Sequence, residues 1–338
     1  MANAKKERGG GWAFRLGLLT LAGGLLAASP MFGLETWPGE LAASWRPHVA
    51  IGVLIVSVLC LAFSRRWIAG MLVAVALTFG ADVLWSGLVS AQTEAGAVKV
   101  EQPAMARVMF ANLLRTNPSL ADLMAWLNAE NPDVLVMTEV TPGHVEEIAE
   151  AMAVFGYVHQ VLEPRHHAFG MTIYSRMPIV DYSFETLTDD TLSNGGPITL
   201  IAQIETEQGV LAVAGVHPFP PSLRASMESR NRQLDDAVYL LEDITDPLVV
   251  VGDYNATPWS PALRRFAEEL DLHGFNVAAT WPVWFGFAGV PIDHALVSNE
   301  LLVGRIEVGP NIGSDHRPIV IDVLLDATLV DQGSPGTP

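Results

Sequence analysis

Apolar and polar positions divide this chain into two regimes. Up to about residue 90 the apolar positions form three long runs, Trp12 to Ala28, Pro47 to Phe63 and Trp67 to Val89. Charge inside them is sparse: Arg15 near the start of the first and Asp82 in the third. Each run is near the length a helix needs to cross a bilayer. Ala27-Ala28-Ser29 looks like a signal-peptide cleavage site, but two further runs follow directly. The pattern therefore predicts a retained three-span anchor over residues 1–90, with spans at about 12–28, 47–63 and 67–89. Residues 91–104 (AQTEAGAVKVEQPA) are small, polar and weakly patterned, which predicts a linker.

From Arg107 onward the apolar runs shorten and alternate with amphipathic stretches. Strands are predicted at residues 107–111, 133–137, 171–174, 179–182, 198–204, 210–216, 248–251, 295–297 and 318–324. Helices are predicted at 118–129, with Leu120, Leu123, Met124 and Leu127 on one face, and at 142–155, 221–242 and 261–270. Strands alternating with helices, some strands in pairs, describe an α/β domain over about 105–325. The tail, 326–338, is polar and rich in Gly and Pro, and is expected to be disordered.

Charge sharpens the division. The first 90 residues carry seven Lys and Arg against four Asp and Glu. Lys5, Lys6 and Arg8 precede the first span, and Arg65-Arg66 occupy the turn between the second and third. The positive-inside rule places both in the cytoplasm and everything after about residue 90 outside it. The expected location is the cell (inner) membrane, multi-pass, with an extracytoplasmic domain. Asp82 then falls near the outer end of its span, where interfacial water is the expected partner. Residues 91–338 carry 12 Lys and Arg against 33 Asp and Glu, with Lys99 the single lysine. A surface so acidic disfavours a broad electrostatic grip on duplex nucleic acid. The chain has one cysteine, Cys60, so the C-terminal part has no disulfide, no Cys-based metal site and no thiol nucleophile.

The candidate chemistry lies at strand ends. Asn112, Glu139 and His217 each follow a predicted strand. In VGDYNATPWS, Asp253 and Asn255 end the strand at 248–251, and side chains at i and i+2 point the same way. Asp293 precedes one strand, and Asp315 and His316 precede the last. One carboxylate at a strand end is ordinarily a cap or turn residue; six coincidences are harder to accept. Carboxylate and amide oxygens suit a hard cation such as Mg²⁺ or Mn²⁺, and histidines beside them suit acid–base work or stabilisation of developing charge. No GxxxxGK[ST] loop and no G-x-S-x-G elbow is present. His144 and His166-His167 read as loop or surface residues, so a zinc site is not expected.

Taken together, Asn112, Glu139 in VLVMTEV, His217 in VHPFPP, Asp253 and Asn255 in GDYN, Asp293 in PIDHALVS and GSDHRP at 313–318 resemble the endonuclease/exonuclease/phosphatase superfamily. The resemblance covers about residues 105–325, and the wording is similar to bacterial members with membrane spans ahead of the catalytic domain. It implies a four-layer α/β/β/α sandwich of deoxyribonuclease I-like type and a metal-dependent phosphoric ester hydrolase using Mg²⁺ or Mn²⁺. By motif, Glu139 is the principal metal ligand, helped by Asn112, and Asp315 reaches the same site. Asp253 holds the attacking water and Asn255 contacts the phosphate. His316, oriented by Asp293, contacts the scissile phosphate or acts as base, and His217 is a second phosphate-side histidine. His294, Arg230 and Arg232 are candidate substrate contacts. The stretch from Trp281 to Phe287 reads as a loop near the site, with lipid among the surfaces available to it. The implied substrate is a phosphoester of nucleic acid, nucleotide or lipid headgroup. Alternatives are a phospholipid or sphingomyelin-type phosphodiesterase, a phosphomonoesterase, and an inactive membrane-tethered binding module. No protein partner is inferred.

Overall fold

The computed structural model describes residues 2–63, 65–97, 103–187 and 196–326. Most of the predicted tail and residues 98–102 of the predicted linker lie outside that set. The chain divides into two compact units, helical up to Leu88 and α/β from Val89 on.

The N-terminal unit is built from α1 (Ala2–Ala28), α2 (Trp37–Ser44), α3 (Arg46–Ala62) and α4 (Arg66–Ala97). Gly11–Phe32 and Arg66–Leu84 are each long and apolar enough to cross a membrane, and α2 with α3 makes a third candidate if that pair, bent by 84°, counts as one. Leu21, Val53, Cys60, Ile68 and Leu72 form their shared core. A Cβ on Gly17 would lie 2.7 Å from Ile68 and 2.8 Å from Cys60, so glycine is what lets these helices approach. Two expectations change. Helix α4 runs on to Ala97, into the stretch read as a linker. Asp82 does not rely on interfacial water: it pairs with Arg46 at the start of α3, whose side chain is fully buried. A carboxylate within an apolar span is costly unless a cation meets it at the same depth, and Arg46 does so.

Among the described residues of the C-terminal unit are two six-stranded sheets. The first runs β11 (Leu301–Val308), β12 (Ile319–Leu325), β1 (Ala106–Asn112), β2 (Val134–Thr138), β4 (Met171–Ser175) and β3 (His159–Glu163). The second runs β5 (Ile179–Thr186), β6 (Ile198–Thr206), β7 (Gly209–Val216), β8 (Leu248–Asp253), β10 (Asp293–Ser298) and β9 (Leu272–His273). Strands β3, β9 and β11 were not foreseen. Short length and half-exposed, mixed sequence hide β3 and β9, and charge hides β11 (LLVGRIEV), which lies at a sheet edge.

Alternation along each central strand explains the layers. Val108 and Phe110, Val134 and Val136, Val249 and Val251, and Ala295 and Val297 point into one core between the sheets. The intervening residues of the first sheet, such as Met109 and Leu135, pack with α5 (Ala121–Glu130) and α6 (Pro142–Val154). Those of the second, such as Val250 and Leu296, pack with α7 (Arg224–Leu241) and α8 (Pro261–Glu269). The result is the α/β/β/α sandwich expected. Strands buried on both faces read as continuous apolar runs, so their boundaries needed only small adjustment.

Candidate active site

The inter-sheet face of four strands continues past the apolar core into polar residues. In phase with Val108 and Phe110 comes Asn112; in phase with Val249 and Val251 comes Asp253; in phase with Val297 and Ala295 comes Asp293. His217 follows β7 in the phase of Leu211 and Val213. The parallel pair β1–β2 sets Asn112 beside Thr138, and the parallel pair β7–β8 sets Val216 beside Gly252. Antiparallel β10 brings Asp293 opposite Asp253. These strands therefore deliver their polar ends to one rim. Glu139 is one residue out of phase, but its φ of 57° turns the chain at the end of β2 and swings its carboxylate to the rim.

Contacts close the constellation. The Asn112 amide nitrogen donates to Glu139 Oε1 at 3.3 Å and across the sheets to Asp253 Oδ2 at 3.2 Å. Backbone N–H of Arg115 donates to Glu139 Oε2 at 2.9 Å. His316 Nδ1 lies 3.0 and 3.1 Å from the two oxygens of Asp293. Nε2 of His217 and Nε2 of His316 each stand 3.6 Å from Asp253 Oδ2. Backbone N–H of Asn255 donates to Asp253 Oδ1 at 2.9 Å, and the Asn255 amide donates to the Pro218 carbonyl at 3.1 Å. Asp253, Asp293, His217 and His316 are all buried.

Burial and proximity set the charges. Desolvation pushes Asp253 up to about 7, with Asp293 adding to it and His316 opposing. The same desolvation lowers His217 to about 4. For His316 desolvation acts downward too, but the adjoining carboxylates of Asp293 and Asp253 outweigh it and hold the imidazole at about 10. At neutral pH His316 is thus cationic, donating Nδ1–H to Asp293 and presenting Nε2–H toward Asp253, while His217 is neutral.

The donor set fits a hard cation. Asp253, Asp293 and His316 offer ligand atoms within 4.8 Å of one another, and Glu139 adjoins them through Asn112. Among the described residues, no Arg or Lys side chain pairs with Glu139, Asp253 or Asp293. Within that set His316 and Asp293 already satisfy each other, which leaves Glu139 and Asp253 as the more available carboxylates.

Five of the expected residues are placed differently from expectation. Asn112 turns its NH₂ toward the carboxylates, because its Oδ1 accepts from Leu114 N–H at 3.0 Å; ligation through oxygen requires the amide to rotate. Asp315 does not join the cluster: its Oδ2 accepts from Trp281 Nε1 at 3.0 Å and its carbonyl from Val283 N–H. His294, next to Asp293 on β10, faces the helix layer, where it is fully buried against Tyr254 and Phe275 and within 3.0 Å of the Ala256 carbonyl. Period-two alternation places it in the packing of the helix layer. Arg230 is also buried, holding Asn231 Oδ1 and the Asn255 carbonyl, so it positions the GDYN turn. Arg232 lies exposed on α7 and donates to Ser229, with no described contact to the cluster. Outside the site, His144 is buried in the cap of α6, bonded to Thr141.

Some neighbours escaped the sequence reading. Thr280 Oγ1 accepts from the backbone N–H of Ile292 and Asp293, fixing the start of β10. Phe169 packs 5.5 Å from His217 and 5.0 Å from Phe219, forming an aromatic wall over that histidine. Nothing in the spacing of Thr280 or Phe169 flags them; each acts through contacts distant in sequence.

Comparison with known proteins agrees with this geometry. The sequence profile of the Endonuclease/Exonuclease/phosphatase family matches residues 106–316. No curated protein sequence matches the chain. Among solved structures, the chain is similar to the endonuclease/exonuclease/phosphatase from Beutenbergia cavernae DSM 12333, at TM-score 0.54 and 21% identity, over 65% of this chain and 71% of that one. The human Nocturnin catalytic domain with bound sulfate gives 0.53 and 21%, over 67% and 97%. A mutant beta toxin from Staphylococcus aureus with bound magnesium ions gives 0.52 and 16%, over 64% and 99%.

Proposed function

Because the chain belongs to the Endonuclease/Exonuclease/phosphatase family, we propose that it is a membrane-anchored, Mg²⁺- or Mn²⁺-dependent hydrolase of phosphodiesters. The observation that carries this reading is the convergence of Glu139, Asp253, Asp293 and His316 on one rim between the sheets. Glu139 would hold the cation, with Asn112 joining it once its amide turns. When bound, the ion supplies positive charge to the phosphate oxygens and stabilises the charge that develops there.

The remaining residues divide the work. Asp253, raised to about 7 by burial, accepts a proton from water at neutral pH and aims that water at phosphorus. His316, cationic and braced by Asp293, donates Nε2–H to a non-bridging phosphate oxygen; a group held at about 10 is a poor base at neutral pH. Neutral His217 gives a second contact on the phosphate side. Asn255 keeps one amide proton on Pro218 and orients the rest of its amide toward the phosphate.

The apolar helices of the N-terminal unit support the anchor, and the charges of Lys5, Lys6, Arg8, Arg65 and Arg66 support an extracytoplasmic active site. The test is turnover. Full-length protein in detergent should cleave a simple phosphodiester with Mg²⁺ and stop with EDTA. Absence of turnover across nucleotide, oligonucleotide, lipid and monoester substrates would favour an inactive binding module instead.

A further inference from the structure

Two groups on the rim, Glu139 and His316, lie beyond the strand ends in loops, and one buried asparagine stands between those loops. Glu139 is met by the backbone N–H of Arg115, 2.9 Å from its Oε2. Arg115 belongs to a short turn, in which Leu114 has φ 57° and its carbonyl accepts from Asn117 N–H at 2.7 Å. His316 belongs to a second turn, where its backbone N–H donates to Ser314 Oγ at 3.1 Å. Asn117 closes the first turn and its side chain reaches the second.

Asn117 is 6% exposed. Its Oδ1 accepts from the Ser119 backbone N–H at 3.3 Å, so the other end of the amide is the NH₂, and Nδ2 donates to the Ile312 carbonyl at 3.0 Å. Ile312 is fully buried with Leu113 and Leu120 in the core under α5 and α6. Gly313 follows at φ 85°, and a Cβ there would lie 2.7 Å from Asn117 Oδ1. The backbone leading to His316 is therefore laid directly on this amide, an approach and a conformation that suit glycine. Pro118 disfavours helical backbone at Asn117, which keeps the residue out of α5. The local turn needs only the Oδ1 bond, which Asp or Ser would also supply. The Nδ2 bond is the one that joins segments 195 positions apart in the chain.

We propose that Asn117 is a positioning residue for the reaction, which sets the separation between the Glu139 carboxylate and the His316 imidazole. That role rests on the hydrolase reading, in which Glu139 holds the cation and His316 donates to the phosphate, and it adds a residue that touches neither. Through its own turn Asn117 fixes the Arg115 N–H on Glu139. Through Ile312 and Gly313 it fixes the backbone from which His316 projects. Cation and imidazolium have to meet the same phosphate, so their separation must be held before substrate arrives. Asp293 orients the imidazole and Asn112 links Glu139 to Asp253. Those bonds aim side chains, whereas Asn117 ties one loop backbone to the other.

The test compares the full-length parent with Asn117→Ser in detergent. Serine keeps a short bond to the Ser119 N–H but does not reach Ile312. Asn117→Asp, which keeps the acceptor and lacks the donor, takes its place if the first variant does not fold. Hydrogen exchange of the EDTA-stripped proteins, read by mass spectrometry, should quicken in two segments together, 113–120 and 311–316. With a simple phosphodiester and saturating Mg²⁺, kcat should fall about 10- to 100-fold, while KM changes by less than about threefold. Mg²⁺ affinity, measured by calorimetry, should weaken in the same variant. Faster exchange confined to 113–120 would overturn the proposal, because the asparagine would then serve its own turn alone. A lower melting temperature with parental kcat would overturn it too, marking a purely structural role. If the parent turns over no phosphoester, the hydrolase reading fails, and exchange with calorimetry decides the positioning role by itself.

Discussion

Asp253 and Asp293 are register partners on adjacent antiparallel strands, with their side chains on the same buried face. The charge of Asp293 makes it harder for Asp253 to ionise. The protein separates their fates by giving Asp293 the His316 imidazole at 3.0 Å and leaving Asp253 with the Asn112 amide and the Asn255 backbone N–H. Asp293 is thereby committed to holding a cationic histidine. Asp253, pushed up to about 7, is left able to take a proton.

That division makes Asp293→Asn informative. The amide retains shape but no longer compensates the imidazolium. Phosphodiester turnover should fall about 10²- to 10⁴-fold, and the pH at which activity is lost on the alkaline side should move down as His316 loses the carboxylate that held it up. A pH–rate profile of the variant against the parent measures both effects.

Glu139→Gln should leave the fold intact, since Glu139 is half-buried and its backbone turn does not depend on charge. Loss of one ligand charge should weaken Mg²⁺ by at least about tenfold, or 1.4 kcal/mol. Calorimetric titration of Mg²⁺ into the EDTA-stripped protein reads this directly. An unchanged affinity would shift the ion to Asp253 and Asp293.

His294 predicts an acid-sensitive fold. Burial holds its imidazole at about 4, although the bond to the Ala256 carbonyl pulls the other way. The unfolded chain binds that proton near 6.5, so between about 6.5 and about 4 the unfolded state carries more protons and stability falls as pH falls. The contribution of this residue reaches up to about 3 kcal/mol. Asp253, raised rather than lowered, opposes the trend over the same window. The comparison is therefore between variants. In His294→Gln, which keeps a donor for Ala256, urea midpoints in EDTA should differ less between pH 7 and pH 4.5 than in the parent.

Gly252 is the residue before Asp253, and a Cβ there would lie 2.1 Å from the Val216 carbonyl oxygen. Backbone on the paired strand has little room to yield. Gly252→Ala should cost about 3 kcal/mol, at the upper end for overpacking, and should displace Asp253 with it. Loss of thermal stability together with loss of Mg²⁺ affinity is the expected signature.

Much of this molecule was readable before its fold. Central strands such as DVLVM and PLVVVG are buried on both faces, so each had to be almost wholly apolar, and helices with a single buried face carried the 3.6-residue pattern. Strands β3, β9 and β11, being short or at sheet edges, bury less and left no such mark. The polar rim was visible because a carboxylate or amide at the end of an apolar run has no packing role to explain it. Asn112, Glu139, His217, Asp253, Asn255, Asp293 and His316 were singled out on that basis, together with the motif resemblance.

What residue types could not reveal was partnership. Asp315 and Asp293 are both acidic residues beside a strand, yet one is bonded to Trp281 and the other to His316. His294 and His316 are both histidines next to an aspartate, but β10 alternates His294 into the helix layer while a loop carries His316 to the rim. Asp82 met Arg46 across 36 positions of chain. Periodicity is a local property, and the sequence determined the elements, their buried faces and the pool of chemically capable side chains. Pairings between residues far apart in the chain depend on register, strand phase and layer order, and only the tertiary structure decided them.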